Sequence, residues 1–405
     1  MADQLPLSDI RILDMMWVMA GPASTRVLAD YGAHVVRVES SRRFDTARTI
    51  GPFQKNQITT ESSGLFLNMN AGKLGITIDP GNPKGREIVL DLVRWADVVA
   101  ESFSPRAMRK WGLDYEALRA IKPEIVMLSS CLMGQTGPLA SFAGYGNLAA
   151  AISGFFNLGG WPDRAPCGPF GAYTDYVSPR LAASAMLAAL EWRDRTGEGQ
   201  YIDLSQAEAS LSFLGPALLD YTANGRVAQR SGNSDCVMAP HGIYPCAGDD
   251  RWIAIACRDD HDWTALCESL GLSELSGDPR FGSLAARREN HVDLDALISD
   301  RTRGLDPLEL QLRLQNRQIP AHQVHNSAEA VTDPQLAHRG HFVPLEHSTL
   351  GPIVVEGSRF RLSRTPARVN RAAPAIGQDT QYVLQKILGY SEERITELVA
   401  AGALE

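Results

Sequence analysis

The sequence predicts an α/β fold with a mostly parallel sheet, accompanied by a smaller α+β domain. Short apolar runs alternate with helix-like patterns over the first 131 residues, and apolar β-like runs return after His341. Between these regions, an Asn-Gly turn at residues 224–225 precedes a change of pattern. Alternating strands and helices are typical of βαβ units, whose strands lie parallel under a cover of helices. A chain of 405 residues has room for two or three domains.

The N-terminal elements follow one another at the spacing of such units. Strands are predicted at residues 10–15, 34–39, 74–79, 97–101 and 125–131, with helices at 24–31 and 84–96. Ser178 is a suitable N-cap and Pro179 suits a first helical position, so we predict a helix from there to Gly197. A strand at 201–204 and a helix at 208–221 complete this part.

The remainder divides into a small domain and a tail. One strand at 252–257 is followed by helices at 260–269, 290–302 and 307–316, and the tail shows β-like runs at 342–345, 353–355 and 358–362 before helices at 379–388 and 392–400. We therefore predict a large domain at 1–225, a small domain at 226–332, and a return to the large domain at 333–405.

Composition narrows the classes of function. With 39 Lys and Arg against 47 Asp and Glu, the formal net charge is −8, which disfavours a nucleic-acid partner. The six cysteines form no CxxC pair and lie at least ten residues apart, which predicts reduced thiols. The first residues carry an acid and no apolar run, so we expect no signal peptide and a cytoplasmic protein. The uncharged stretch at 125–162 is broken by glycines, which predicts buried loops rather than a membrane span.

Common cofactor motifs are missing from the sequence. No GxGxxG follows a predicted strand and no GxxxxGK[ST] is present, so a dinucleotide-binding or P-loop enzyme is not expected. The nine histidines form no HExxH pattern, and no metal site is predicted.

Asp175 is the candidate catalytic residue, because it lies just before the predicted helix start. The dipole and free N–H groups of a helix N-terminus stabilise a carboxylate in its ionised form, and only that form is a nucleophile. Helix capping alone would place an aspartate there as well, and the residues by themselves leave both interpretations open.

Two clusters of basic residues could hold a phosphorylated ligand: Arg37, Arg42, Arg43 and Arg48, and then Arg106, Arg109 and Lys110. Phosphates are bound by forked or point cations of this kind. Solvent-exposed helix faces give the same pattern, so the clusters do not distinguish a phosphate-binding site from an ordinary helix surface.

Short segments in order along nearly the whole chain resemble the class III (CaiB/BaiF) coenzyme A-transferases. They are residues 18–22 (VMAGP), 28–33 (LADYGA), 36–39 (VRVE), 70–73 (NAGK), 101–105 (ESFSP), 134–138 (GQTGP), 196–200 (TGEGQ) and 374–378 (PAIGQ). The resemblance implies a Rossmann-like large domain built from N- and C-terminal segments, a smaller α+β domain, and an interlocked dimer.

The resemblance also implies an activity and a set of site residues. Coenzyme A (CoA) would pass from an acyl-CoA to a free carboxylic acid through an aspartyl anhydride and an aspartyl-CoA thioester, both formed on Asp175. Substrate contacts would come from Gln135 and Tyr145, with glycine-rich backbone nearby for oxyanions. The implied CoA contacts are Val18, Ala20, Asn70, Phe103 and Lys110, with Arg42 or Arg43 in place of the arginine that relatives carry at Ser40. The CoA thioester is then a substrate, and no permanently bound cofactor is expected.

Several alternatives stay open. A 2-methylacyl-CoA racemase would need a histidine where this chain has Tyr145, and a tyrosine is a poor base at neutral pH. A non-catalytic subunit of a heteromeric transferase would not need Asp175, and the chain could form a homodimer or pair with a paralogous subunit. The sequences of segments 168–176 and 238–242 resemble those of family members that use succinyl-CoA with an aromatic or dicarboxylic acid such as benzylsuccinate.

Overall fold

The computed structural model describes residues 4–405 and has the predicted α/β fold. Its strands are β1 (Arg11–Met15), β2 (His34–Glu39), β3 (Leu74–Thr77), β4 (Val98–Glu101), β5 (Val126–Cys131), β6 (Tyr201–Ser205), β7 (His241–Pro245), β8 (Trp252–Ala256), β9 (Ala321–Gln323), β10 (Phe342–His347) and β11 (Gly351–Glu356). The helices are α1 (Ala20–Ala29), α2 (Gly64–Asn70), α3 (Pro83–Trp95), α4 (Ala107–Trp111), α5 (Tyr115–Ile121), α6 (Gly146–Ile152), α7 (Phe155–Leu158), α8 (Tyr173–Thr196), α9 (Gln206–Leu211), α10 (Gly215–Asn224), α11 (Asp260–Leu270), α12 (Leu284–Glu289), α13 (His291–Thr302), α14 (Pro307–Gln315), α15 (Ser327–Thr332), α16 (Pro334–Arg339), α17 (Thr380–Tyr382) and α18 (Glu392–Ala400).

The central sheet has six parallel strands in the order β3-β2-β1-β4-β5-β6. This is the strand order of the Rossmann fold. Strands β2 and β3 are added on one side of β1 and strands β4 to β6 on the other, so the switch point of the sheet lies between β1 and β4. Apolar side chains of the strands pack against helices on both faces, which explains why the strands read as continuous apolar runs. In such sheets ligands bind beyond the carboxyl ends of the strands at the switch point.

The chain forms two compact units. The larger takes in the chain up to Phe156, then Gly168–Val227 and Gln335–Glu405, and the smaller takes in Asn157–Cys167 and Ala228–Pro334. The smaller unit contains the three-stranded antiparallel sheet β7-β8-β9 with its own apolar core. Within residues 4–405, no helix combines the length and apolar character that a membrane crossing requires.

The C-terminal segment returns to the larger unit, as the resemblance implied. Gly75 of β3 donates its N–H to Asp379 Oδ2 at 2.8 Å, and Thr77 Oγ1 donates to the Leu404 carbonyl at 2.9 Å. These bonds attach the tail to β3, which lies at one edge of the sheet.

Some sequence expectations were wrong. Helix α8 begins at Tyr173, so Pro179 lies inside it; the proline withholds one backbone hydrogen bond, while Thr174 Oγ1 anchors the first turn on the Gly146 carbonyl at 2.9 Å. Residues 358–362 form no strand. The uncharged stretch at 125–162 is not buried throughout, since Phe142 and Leu148 are exposed in the single chain.

A buried ion pair between Asp14 and Lys73 lies at the carboxyl end of β1. Lys73 Nζ donates to Asp14 Oδ2 at 2.8 Å and to the Pro22 carbonyl at 2.8 Å, and Asp14 Oδ1 accepts the N–H of Met16 at 2.8 Å. Both charged side chains are fully buried. Burial lowers the pKa of Lys73 to about 8, although the negative charge of Asp14 acts to raise it. The pair therefore holds the loop after β1 at both of its ends.

Loss of the lysine charge should destabilise the fold strongly. Lys73→Met would leave Asp14 buried without its cation, which costs about 3–5 kcal/mol of unfolding free energy. Lys84→Met, which removes an exposed pair with Glu87, should cost at most about 1 kcal/mol. Urea denaturation of both variants measures the difference, and equal small losses would contradict this role of the buried pair.

Candidate active site

Two cavities lie beyond the carboxyl ends of β1 and β4, at the switch point of the sheet. The Asp175 cavity, of about 210 Å³, is lined by the loop after β1, the loop after β4, Tyr145 and Asp175. The Arg42 cavity, of about 480 Å³, is lined by residues that include Arg42 and Arg43. Both are lined by Trp17 and Phe103, so these two aromatic side chains form a wall common to the two cavities.

Aromatic contacts fix this common wall. The Phe103 ring meets Trp17 edge-on, with centroids 5.6 Å apart, and meets Trp111 edge-on at 5.2 Å. The backbone N–H of Trp17 donates to Ser102 Oγ at 2.9 Å, and this bond joins the loops after β1 and β4. Edge-to-face pairs of this kind are favourable, so the wall is preorganised.

Val18 adopts a strained backbone conformation in the wall of the Asp175 cavity. Its φ of 67° is unusual for a β-branched residue. The Val18 N–H donates to Asp45 Oδ1 at 2.8 Å, and Arg37 holds the other oxygen of Asp45 at 2.5 Å. The buried Arg37–Asp45 pair thus maintains a conformation that the valine alone disfavours.

Asp175 lies in the first turn of α8 and is 6% exposed. Burial raises the pKa of its carboxyl to about 6, and the Gly146 N–H opposes this by donating a hydrogen bond. The expected stabilisation of the anion by the helix terminus is therefore outweighed by desolvation. With that pKa the group is still mostly ionised at pH 7.

Gly146 allows the carboxyl of Asp175 to lie where it does. A Cβ at position 146 would stand 2.6 Å from Asp175 Oδ1 and 2.9 Å from Oδ2, closer than any non-bonded contact allows. The absence of a side chain at Gly146 thus brings the backbone of α6 against the carboxyl.

The structure brings most, but not all, of the predicted site residues together. Val18, Ala20, Phe103, Tyr145 and Asp175 line the Asp175 cavity, and Arg42, Arg43 and Phe103 line the Arg42 cavity. Arg42 also forms an ion pair with Glu405.

Of the site residues that the family resemblance implied, three line neither cavity. Asn70 is fully buried, where its Oδ1 accepts from Lys73 at 3.0 Å and its amide donates to the Phe66 carbonyl. Lys110 is exposed on α4. Gln135 donates its backbone N–H to Asp203 Oδ1 at 2.8 Å, and its side-chain amide nitrogen lies 3.5 Å from the Phe103 carbonyl oxygen.

Sequence reasoning missed two carboxylates that shape the site. Asp45 holds Val18, and Glu101, the last residue of β4, accepts the Phe103 N–H at 2.7 Å. An acidic residue that ends a predicted strand at the ligand-binding edge is a signal for Glu101. Asp45 also caps a short helix through the Ala47 N–H, and that local role gives no sign of its bond to Val18, 27 residues away.

A candidate cation site occurs in the smaller unit, where ligand atoms of Asp259, His261 and Asp262 lie within 4.8 Å of one another. Asp262 is already paired with Arg258 at 2.7 Å, so this group has a structural explanation.

Comparison with known proteins identifies the class of this chain. The family model described as CoA-transferase family III matches residues 7–380. The chain belongs to the class III (CaiB/BaiF) CoA-transferases, enzymes that transfer CoA between an acyl-CoA and a carboxylate.

Individual relatives match over almost their full length. The chain is 33% identical over 395 residues to the succinyl-CoA–D-citramalate CoA-transferase of Chloroflexus aurantiacus, covering 98% of this chain and 97% of that protein. It is 34% identical to the succinate–glutarate CoA-transferase of Agrobacterium fabrum, covering 94% and 96% of the two chains. The crystal structure of a CaiB/BaiF family protein from Brucella suis superposes with a TM-score of 0.88 at 32% identity, covering 95% of this chain and 100% of that one.

A methyl group at position 146 should displace the Asp175 carboxyl. In Gly146→Ala we expect the side chain to rotate away, and its pKa to fall from about 6 toward the ordinary value near 4, because burial is what raises it. Carboxyl NMR titration and a crystal structure measure both effects. Gly215→Ala, at a helical glycine with open space around it, is the control. An unchanged carboxyl position and pKa in Gly146→Ala would contradict the contact.

Proposed function

We propose that Asp175 is the nucleophile of this CoA-transferase and that the enzyme moves CoA from succinyl-CoA to a dicarboxylic acid. One observation carries the assignment of the nucleophile: Asp175 is the single charged side chain among the described residues that line its cavity. The donor and the class of acceptor are proposed from the relatives that act on succinyl-CoA, citramalate and glutarate. The comparisons offer no particular support for benzylsuccinate, which therefore serves as one of the acids to test.

The reaction proceeds by exchange at carbonyl carbons. A carboxylate oxygen of Asp175 attacks the thioester carbon of the donor, and the C–S bond breaks to give an aspartyl anhydride and CoA thiolate. The thiolate then attacks the Asp175 carbonyl carbon and releases the donor acid, which leaves an aspartyl-CoA thioester. The acceptor carboxylate repeats both steps in reverse order, which yields the new acyl-CoA and restores the Asp175 carboxylate.

The Gly146 N–H supplies electrostatic stabilisation at one of these steps. It already donates to the Asp175 carboxylate. When thiolate attacks the aspartyl carbonyl, negative charge develops on an oxygen of that same carboxyl group. A donor that is in place before the charge develops lowers the barrier without reorganisation.

The CoA moiety is proposed to lie along the common aromatic wall. Arg42 and Arg43 would meet phosphate groups in the Arg42 cavity, and Val18, Ala20 and Phe103 would contact the pantetheine arm in the Asp175 cavity. Lys110, exposed on α4, is proposed as a further phosphate contact. Asn70 would act indirectly, because it holds Lys73 under the loop.

Large apolar side chains that are exposed in the single chain support the proposed dimer. The long helix α8 leaves Leu181, Leu187 and Trp192 exposed in the single chain, as do Phe142 and Leu148 in the segment before it. Burial in a protein interface would remove these apolar side chains from water. We propose that a second copy or a paralogous subunit covers them in an interlocked dimer whose domains correspond to 1–225 with 333–405 and to 226–332. Light scattering should give about twice the 44.1 kDa chain mass when this chain is purified alone, whereas a monomer would favour a paralogous partner.

Removal of the charge at position 175 should abolish transfer. Asp175→Asn keeps the shape of the side chain, so the protein should fold while the transfer rate falls by at least about 10³-fold. Glu191→Gln, on the exposed side of the same helix, is the control. Wild-type kcat/KM should fall as the pH drops through about 6, because protonation removes the attacking anion. Mass spectrometry should detect an acyl or CoA adduct at Asp175, and near wild-type transfer by the Asn variant would refute the assignment.

The racemase alternative predicts a different product. Because Tyr145 is a poor base, we expect no solvent deuterium at the α-carbon of a 2-methylacyl-CoA, while CoA passes to an offered acid. Tyr145→Phe should reduce transfer only about 2- to 10-fold, since the phenol can orient a carboxylate but does not take its proton. Deuterium incorporation without CoA transfer to any acid would establish the racemase instead.

A further inference from the structure

Glu101 is a buried carboxyl that the proposed transfer mechanism does not use. It ends β4 beneath the common aromatic wall and is only 1% exposed. Among the residues that the structure describes, no Lys, Arg or His pairs with it, and the nearby charge that acts on its ionisation is that of Asp203, which is also negative. Buried carboxyls without a cation are rare, because desolvation disfavours their charged form.

Two hydrogen bonds favour the ionised form of this carboxyl. Glu101 Oε2 accepts the Phe103 N–H at 2.7 Å, and the carboxyl also bonds to the hydroxyl of Ser129, which lies opposite it in the register of β4 and β5. Burial raises the pKa of Glu101, the charge of Asp203 adds to that rise, and the two bonds oppose it. The result is a pKa of about 7.

The other titratable groups around Glu101 are neutral near this pH. Burial raises the pKa of Cys131 on β5 to about 11 and that of Tyr201 on β6 to about 12. Tyr115 of α5 stacks on Tyr201, and burial raises its pKa also. Asp203 is therefore the neighbour whose charge acts on the ionisation of Glu101.

We propose that Glu101 is a positioning residue whose carboxylate holds the backbone of Phe103, and with it the common aromatic wall, in the conformation that binds the CoA thioester. A carboxylate accepts an N–H bond about twice as strongly as a neutral group does. Protonation of Glu101 therefore loosens the hold on Phe103, whose ring contacts both Trp17 and Trp111. Glu101 itself lines neither cavity and acts through Phe103.

The inference rests on the proposed placement of the CoA thioester against Phe103, so affinity is the quantity to measure. Calorimetric titration with succinyl-CoA in an Asp175→Asn background, between pH 5.5 and 8.5, removes both turnover and the ionisation of Asp175. We expect the affinity to fall about 3- to 10-fold as the pH drops through about 7, because the charged hydrogen bond is lost. Adding Glu101→Gln should give the low-pH affinity throughout, apart from the ionisation of the ligand, which is the same for every variant.

Two further variants should move the midpoint pH of this affinity change in opposite directions. Ser129→Ala removes a bond to the ionised carboxyl, so the midpoint should rise. Asp203→Asn removes the neighbouring negative charge while its Oδ1 can still accept the Gln135 N–H, so the midpoint should fall. A merely structural role for Glu101 would leave both midpoints in place, and these variants decide the question even if Glu101→Gln fails to fold.

The outcomes separate this inference from the proposed function. If Phe103→Ala leaves the affinity unchanged at every pH, the thioester does not bind against Phe103 and the proposed placement fails. If Phe103→Ala weakens binding but the midpoints do not shift with Ser129→Ala and Asp203→Asn, the role of Glu101 alone is overturned. Weakened binding together with the two opposite shifts supports both.

Discussion

The buried pair of Asp14 and Lys73 is the interaction on which the site depends most. Neither charge reaches solvent, so each needs the other, and removing one would leave an uncompensated ion in the core. Asp14 also accepts the Met16 N–H and Lys73 also donates to the Pro22 carbonyl, on either side of the residues that line the Asp175 cavity. Few arrangements satisfy two buried ions at once, and the loop after β1 is consequently held in one conformation.

Other carboxylates extend this principle across the edge of the sheet; Asp45 and Glu101 are buried, whereas Asp203 is exposed. Asp45 maintains the unusual φ of Val18, Glu101 holds Phe103, and Asp203 holds Gln135. Each accepts a backbone N–H from a loop that follows, or lies beside, a strand of the central sheet. The cavity walls are therefore formed by loops. The positions of those loops are determined by acidic residues that are buried or lie on strands, so the irregular backbone is held as precisely as catalysis requires.

Asp175 combines two demands that oppose each other. Its burial against Gly146 raises its pKa to about 6, which weakens the preference for the anion, yet the anion is the form that the proposed mechanism uses. Desolvation also removes water that would stabilise the anion in its ground state and would hydrolyse an anhydride. A pKa just below neutrality keeps most of the carboxyl ionised and still places it in a protected environment.

The sequence by itself determined the alternation of strands and helices, the class of fold and the family, because these depend on local apolar patterns and on short segments in a fixed order. It also indicated Asp175, through the resemblance. Only the tertiary structure decided that α8 begins at Tyr173, that Asn70 is a buried partner of Lys73 rather than a cavity wall, and that Asp45 and Glu101 shape the site. The physical reason is distance along the chain: Asp14 and Lys73 are 59 residues apart, and the bond between Ser102 and Trp17 spans 85. No local pattern encodes which buried charges and loops meet, because the packing of the whole sheet brings them together.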